Sequence, residues 1–302
     1  MRAIEVNNLS KSYNEIRAVT DFSFYAEGGE ILALAGPDGA GKTSIFRSIC
    51  SLIEFDAGEV RIHGYDLHEH HKSIKQLMGY MPQSFSLYPD LSVAENLHFY
   101  AGLFGIKGER LAAKREQLYR FSGLGPFARR RAGHLSGGMK QKLALSCCLI
   151  HDPAVLLLDE PTTGVDPLSR RQFWDILKTL KEHGSAVVVS TPYMDEVALA
   201  DRAVFIFNGR KLAEGRPEEL TQRFRGSVYR ADISVASHDL DDLSRIKGLR
   251  LRRFGSSVHI YTDEGHRIEQ FHEALSGVGI KPEMIRPDAP GLEDAFVQLM
   301  EN

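Results

Sequence analysis

Residues 30–43 read EILALAGPDGAGKT, and this stretch decides the fold. An apolar strand, EILALA (30–35), runs directly into a glycine-rich loop with the spacing G-x-x-x-x-G-K-T. A helix is expected to begin near Gly41 and Lys42. Gly36, Gly39 and Gly41 let the backbone turn its N–H groups inward around phosphate oxygens, and the helix N-terminus adds a favourable potential. Lys42 is placed to reach the terminal phosphates and the Thr43 hydroxyl to ligate magnesium. Pro37, Asp38, Ala40 and Ser44 complete the loop expected to hold a nucleoside triphosphate.

Working outward, AVLLLDE (154–160) and AVVVS (186–190) are continuous apolar runs, as expected for parallel strands covered on both faces. Between them Phe173, Ile176, Leu177 and Leu180 mark one face of a helix, so the three elements make a βαβ unit. Asp159, at the end of the first strand, is placed to hold magnesium through water. Glu160 follows it as the natural general base for an attacking water. An isolated acidic pair could merely cap a strand. A phosphate loop in the same chain favours the catalytic reading.

Toward the N-terminus, AIEV, DFSFYA and GEVRIHG read as short strands. Residues 84–150 are mostly helical, with Ser92 and Glu95 spaced as a capping box. AVFIFNGRKLAEG suggests a hairpin, and the polar stretch 214–227 a domain boundary. Beyond it Tyr229, Ala231, Ile233 and Val235 alternate, as do Val258, Ile260 and Thr262, while Ile268, Phe271 and Leu275 repeat at helical spacing. The expected division is a main domain over 1–225 and a small α+β domain over 226–302.

The 302 residues carry a formal net charge of -3, which leaves no broad basic footprint for nucleic acid. The basic runs ARRRA (128–132) and LRLRRF (249–254) read as solvated faces. Cys50, Cys147 and Cys148 lie in apolar stretches and read as buried thiols. The HEHHK cluster (68–72) lacks matching ligands elsewhere and reads as an exposed loop. With no secretory h-region and no run near the ~18 apolar residues of a membrane span, a cytoplasmic location is expected. Any membrane role must then come through a partner.

LSGGMKQ (135–141), taken alone, is only a helix N-cap with two glycines. In this order and separation, however, the motifs of residues 1–225 resemble those of ATP-binding cassette (ABC) ATPases, the motor domains of ABC transporters. The resemblance implies an α/β P-loop NTPase fold: a RecA-like parallel sheet core, an antiparallel β subdomain and a helical signature subdomain over about 84–150. It also implies ATP and Mg2+ as cofactors. Tyr13 matches the aromatic that stacks on adenine, although a tyrosine in a strand core is the plainer alternative. Gln83, in YMPQSFSLYPDLS, matches the glutamine that senses magnesium and couples to a membrane subunit. That makes Thr43, Gln83 and Asp159 the metal set. Ser136, Gly137 and Gly138 would face the γ-phosphate held by a second cassette, and Asp166, in TTGVDP, matches the loop communicating between the two sites. The implied partners are a second cassette, in a homodimer or heterodimer, and integral permease subunits on the cytoplasmic face of the inner membrane.

One position departs from the family. A histidine usually follows the strand after the βαβ helix, yet here Ser190 and Thr191 lead into Pro192, which offers neither a donor nor a titratable group. Either Glu160 suffices as base and turnover is slow, or the chain is a weakened regulatory member of a heterodimer. The segments STPYMDE and PGLEDAFVQLM resemble the drug-resistance and antibiotic exporter branch. Export of a hydrophobic small molecule, drug or lipid follows from that likeness. The final domain would then be regulatory, dimer-stabilising or structural. A soluble cassette acting on ribosomes or DNA would share every nucleotide motif, whereas a metabolic kinase would have no use for LSGG.

Overall fold

A computed structural model of the chain describes residues 2–233, 243, 246–254 and 257–301. They form two compact units, Met1–Pro217 and Glu218–Asn302.

In the first unit, β1 (Arg2–Tyr13) and β2 (Ile16–Glu27) make an antiparallel hairpin. β3 (Ile31–Ala35) leads through the glycine loop into α1 (Lys42–Ile49), and β4 (Ala57–Ile62) and β5 (Tyr65–Asp66) extend the hairpin sheet in the order β2-β1-β4-β5. β1 is far longer than AIEV suggested. Register shifts beyond Val6, with Asn8 at φ 50, break the alternation by which a strand is recognised.

Next come α2 (His71–Leu77), β6 (Met78–Met81) and three helices, α3 (Val93–Leu103), α4 (Gly108–Ser122) and α5 (Gly137–Cys148). The capping box at α3 is formed: Ser92 Oγ accepts from Glu95 N at 3.2 Å, and Glu95 Oε2 accepts from Ser92 N at 2.7 Å. β7 (Val155–Asp159), α6 (Pro167–Glu182) and β8 (Ala186–Thr191) are the expected strand–helix–strand unit. α7 (Met194–Val197) then leads to the hairpin β9 (Arg202–Phe207) and β10 (Arg210–Gly215), and α8 (Pro217–Thr221) follows.

The central sheet has the order β10-β9-β3-β8-β7-β6, parallel except for its β9–β10 edge. Every residue of β3, β7 and β8 is buried, which is why these runs are continuously apolar. The parallel register sets Ala35 beside Thr191 and Asp159 beside Ser190, so the chemistry gathers at the C-terminal strand ends. α6 buries Phe173, Trp174 and Leu177, with Ile176 and Leu180 half-buried; Trp174 joins the expected stripe.

In the second unit, β11 (Ser227–Ala231), β12 (Leu249–Phe254), β13 (Ser257–Thr262) and β14 (Ile285–Asp288) form an antiparallel sheet ordered β12-β13-β11-β14. That is the strand order of a split βαβ, ferredoxin-like sheet. Val258 and Ile260 pack with Ile268, Phe271 and Leu275 on one side, while Phe224, Val228, Tyr261 and Ala295 form a second cluster. β11 stops at Ala231, and Val235 lies outside the described residues.

LRLRRF has two faces: Leu249 and Leu251 are core residues, while Arg250 and Arg252 stay partly exposed and pair with Glu301 of the helix Leu292–Glu301 at 2.9 and 2.6 Å. Arg129, Arg130 and Arg131 are exposed, as are residues 68–72, of which His71 and Lys72 begin α2. Cys50 and Cys147 are buried and Cys148 half-buried; burial pushes all three thiols up, Cys148 to about 12. Among the described residues no helix is long and apolar enough to cross a membrane.

Candidate functional site

The glycine loop is shaped by positions where a side chain cannot fit. Gly41 caps α1 at φ 106, and a Cβ there would lie 2.4 Å from Ala18 O. At Gly36 a Cβ would meet Ile206 O at 2.2 Å. Asp38 and Gly39 are exposed at the loop tip, Pro37 is half-buried and Ala40 is buried. Lys42 Nζ donates to Gly36 O at 2.7 Å and Pro37 O at 2.9 Å, and lies 3.0 Å from Glu160 Oε1. Both charged side chains of that pair are buried.

Asp159 is fully buried. Its Oδ1 accepts from Ser190 Oγ at 2.6 Å, while Oδ2 has no hydrogen-bond partner among the described residues. Burial raises its pKa, against the pull of the Ser190 and Thr43 hydroxyls. A buried carboxylate oxygen without a donor, beside a threonine hydroxyl, suits a hard divalent cation. The donor set therefore fits the magnesium expected there.

Glu160 has a left-handed backbone, φ 46, rare for a residue with a Cβ. Its N–H is held by Ser190 Oγ at 2.9 Å and Ser190 O at 3.2 Å. Its Oε2 accepts from Gln83 Nε2 at 2.8 Å and from Thr163 Oγ1 at 3.3 Å. Lys42, Gln83, Asp159 and Glu160 thus form one cluster. Tyr13 is 42 % exposed, which removes the strand-core alternative, and its hydroxyl lies 3.3 Å from Ser44 Oγ on the loop.

The signature residues lie apart from this cluster in their contacts. Ser136 caps α5 by accepting from Met139 N at 3.4 Å; Ser136 and Gly137 are exposed. Gly138 is buried, and a Cβ there would lie 2.6 Å from Ser169 Oγ on α6. Asp166 caps α6 by accepting from Ser169 N at 2.9 Å, and that backbone bond pulls its pKa down.

Sequence reasoning left out a second layer. Ser190 joins both acids. Thr191 Oγ1 donates to Glu196 Oε2 at 2.6 Å and accepts from Tyr193 N at 3.1 Å, so hydrogen bonds brace the turn at Pro192 on both sides. Buried Glu196 also accepts from Thr162 Oγ1 and lies 3.4 Å from Arg170 Nε, whose guanidinium covers the Tyr193 ring. The one available signal was the Ser-Thr pair ending β8, since parallel neighbours place their ends together.

A family model described as ABC transporter matches residues 19–163. The chain is 36 % identical, over 98 % of its length, to a probable multidrug ABC transporter ATP-binding protein, YbhF, of Escherichia coli; it spans about half of that relative, 52 %. It is 33 % identical to the Nod factor export ATP-binding protein I of Rhizobium etli, covering 99 % of this chain and 93 % of the relative. Among solved structures, an ABC cassette in a dimeric post-hydrolysis state bound to ADP and Pi superposes with a TM-score of 0.64 at 26 % identity, covering 70 % of this chain and 98 % of that one.

Proposed function

The chain belongs to the ATP-binding proteins of ABC transporters, and on that footing we propose that it drives export of a hydrophobic small molecule, drug or lipid through a separate membrane permease. The observation that carries the catalytic part is the cluster in which Glu160 is held by Lys42 and Gln83. A triphosphate competes for the Lys42 ammonium, because charge-assisted bonds to phosphate are the stronger ones. Glu160 is then released to accept a proton from water, with Gln83 beside it. Mg2+, held by Thr43 and Asp159 with Gln83 near, would neutralise charge on the β- and γ-phosphates.

Pro192 supplies no γ-phosphate contact. Loss of one transition-state donor costs roughly 10²–10³ in rate, so turnover is expected to be slow. Ser136, Gly137 and Gly138 would complete the site of a second cassette, in a homodimer or heterodimer, and Asp166 would sit between the two sites. Phe85 and Tyr88 are exposed just after Gln83 in sequence, and the Tyr88 ring lies 4.7 Å from that of Phe99, itself exposed on α3 with Leu103. An apolar patch of this kind suits a permease surface, which would hold the protein on the cytoplasmic face of the membrane.

The test is steady-state ATP hydrolysis by the purified protein. Glu160→Gln should abolish turnover while ATP binds at least as tightly, since the competing anion is gone. Pro192→His should raise the rate. Equal turnover in wild type and Glu160→Gln would sink the proposal. The second reading, a weakened regulatory partner, is favoured by Pro192 alone; it expects no rate gain from Pro192→His without a complete second cassette.

A further inference from the structure

We propose that the first unit carries a small-molecule site distinct from the nucleotide site. It lies in the cavity walled by α4, residues 149–154 and the C-terminal turn of α6, and takes a neutral apolar molecule bearing one hydrogen-bond acceptor. The cavity measures about 380 Å³, within the roughly 300–1,000 Å³ of small-ligand sites. Leu118, Phe121, Leu149, Pro153 and Leu180 give it apolar walls.

Gln117, Asp152, Thr179, His183 and Ser185 also line it, and the best buried of its polar groups is Lys114, whose side chain is only 9 % exposed. An ammonium has three donors. One goes to the Asp152 carboxylate and one to Gln117 Oε1 at 3.2 Å; the third has no partner among the described residues. A buried donor without an acceptor is costly, and a ligand carbonyl or hydroxyl supplies what it lacks.

The charge balance selects the class of ligand. Asp152 already neutralises Lys114, so a ligand anion would meet that carboxylate and a ligand cation would meet the ammonium. Asp152 has a left-handed backbone, φ 56, that presents this carboxylate from the loop. On the facing helix the His183 ring pairs with Thr179 O at 2.6 Å, so that nitrogen is engaged locally. A neutral molecule meets no opposing charge.

The location is separate from the phosphates. Ala154 and Ser185 line the cavity and immediately precede β7 and β8, whereas Asp159 and Thr191 end those strands. At about 3.3 Å per residue the two places lie on the order of 16 Å apart.

The experiment uses the full chain and four-way calorimetry with n-octanamide as probe, against octanoate, octylammonium and buffer. Octanamide should bind saturably at one site and raise Tm with concentration, and the two ions should bind at least tenfold more weakly. Thr179→Phe fills the cavity from a half-buried helix position and should abolish binding while leaving ATP turnover unchanged. Ser185→Leu serves the same purpose should the first variant not fold. Lys114→Met should weaken octanamide about tenfold. No saturable octanamide binding by wild type, undiminished binding by a folded filled variant, or tighter binding of either ion each overturns the proposal.

Discussion

Ser190 does the work of two residues with one hydroxyl. It donates to Asp159 and accepts from the N–H of Glu160, and so sets the relative placement of both acids. Removing it would orphan Asp159 Oδ1 and leave the left-handed Glu160 backbone with only the Ser190 carbonyl. Ser190→Ala should therefore lower kcat by about 10- to 100-fold, with little change in KM for ATP. Ser190→Thr, which keeps the hydroxyl, should restore most of the rate; equal loss in both variants would show the role to be packing alone. Asp159 makes the complementary point about stability. Burial raises its pKa, so its native protonated form is favoured at acid pH and that contribution is lost as pH rises through the raised value. At neutral pH the unmetallated carboxylate is a burden. Asp159→Asn should raise Tm without Mg2+ by a few degrees, on the order of 1–2 kcal/mol for an orphaned charged oxygen. The gap between the two melting curves should narrow on acidification. A variant less stable than wild type at pH 7 would contradict this account.

Helix α5 meets α6 at a point where only glycine fits. A Cβ at Gly138 would stand 2.6 Å from both Cβ and Oγ of Ser169, so Gly138→Ala must push the helices apart. Overpacking of this kind costs about 1–3 kcal/mol, and it displaces Ser136 and Gly137 with the helix start. The double variant with Ser169→Gly frees the space and keeps the backbone N–H that Asp166 accepts. Thermal melts should thus show strong positive coupling between the two substitutions, and additive losses would refute the contact as the cause. In the second unit Glu301 fastens the helix Leu292–Glu301 to β12. Burial pushes its carboxyl up, but the hydrogen bonds from Arg252 and Arg250 outweigh burial and leave its pKa below the usual 4.5. Stability from a depressed carboxyl is present above the unfolded value and lost as pH falls through the folded one. Glu301→Gln should weaken the second unit at pH 7 and lose that difference below about pH 4, as followed by circular dichroism.

At the scale of the whole chain, what could be read in advance was whatever a segment demands of its own backbone. The glycine loop, the buried runs of β7 and β8 and the cap of α3 announce themselves within a few residues. Contacts made through strand order do not. Ser190 matters because β8 lies beside β7, and Arg250 and Arg252 matter because the last helix returns to β12; neither neighbour relation leaves a local pattern. The division into units is more local: it falls after Pro217, the first residue of α8, within the polar stretch 214–227 and eight residues before the expected limit at 225. Each unit nevertheless has its own apolar core, the condition for independent unfolding. Differential scanning calorimetry of the full chain should then resolve two transitions. Only the one belonging to Met1–Pro217 should move with MgATP, because a ligand stabilises only the unit that binds it, by about 2.7 kcal/mol at a hundredfold excess over Kd. Lys42→Ala should cancel that shift and leave the other transition in place. A fragment ending at Pro217 should melt with the same ATP-dependent shift. If a single transition moved as a whole with MgATP, the two units would unfold as one, and the fragment would be expected to melt below the full chain.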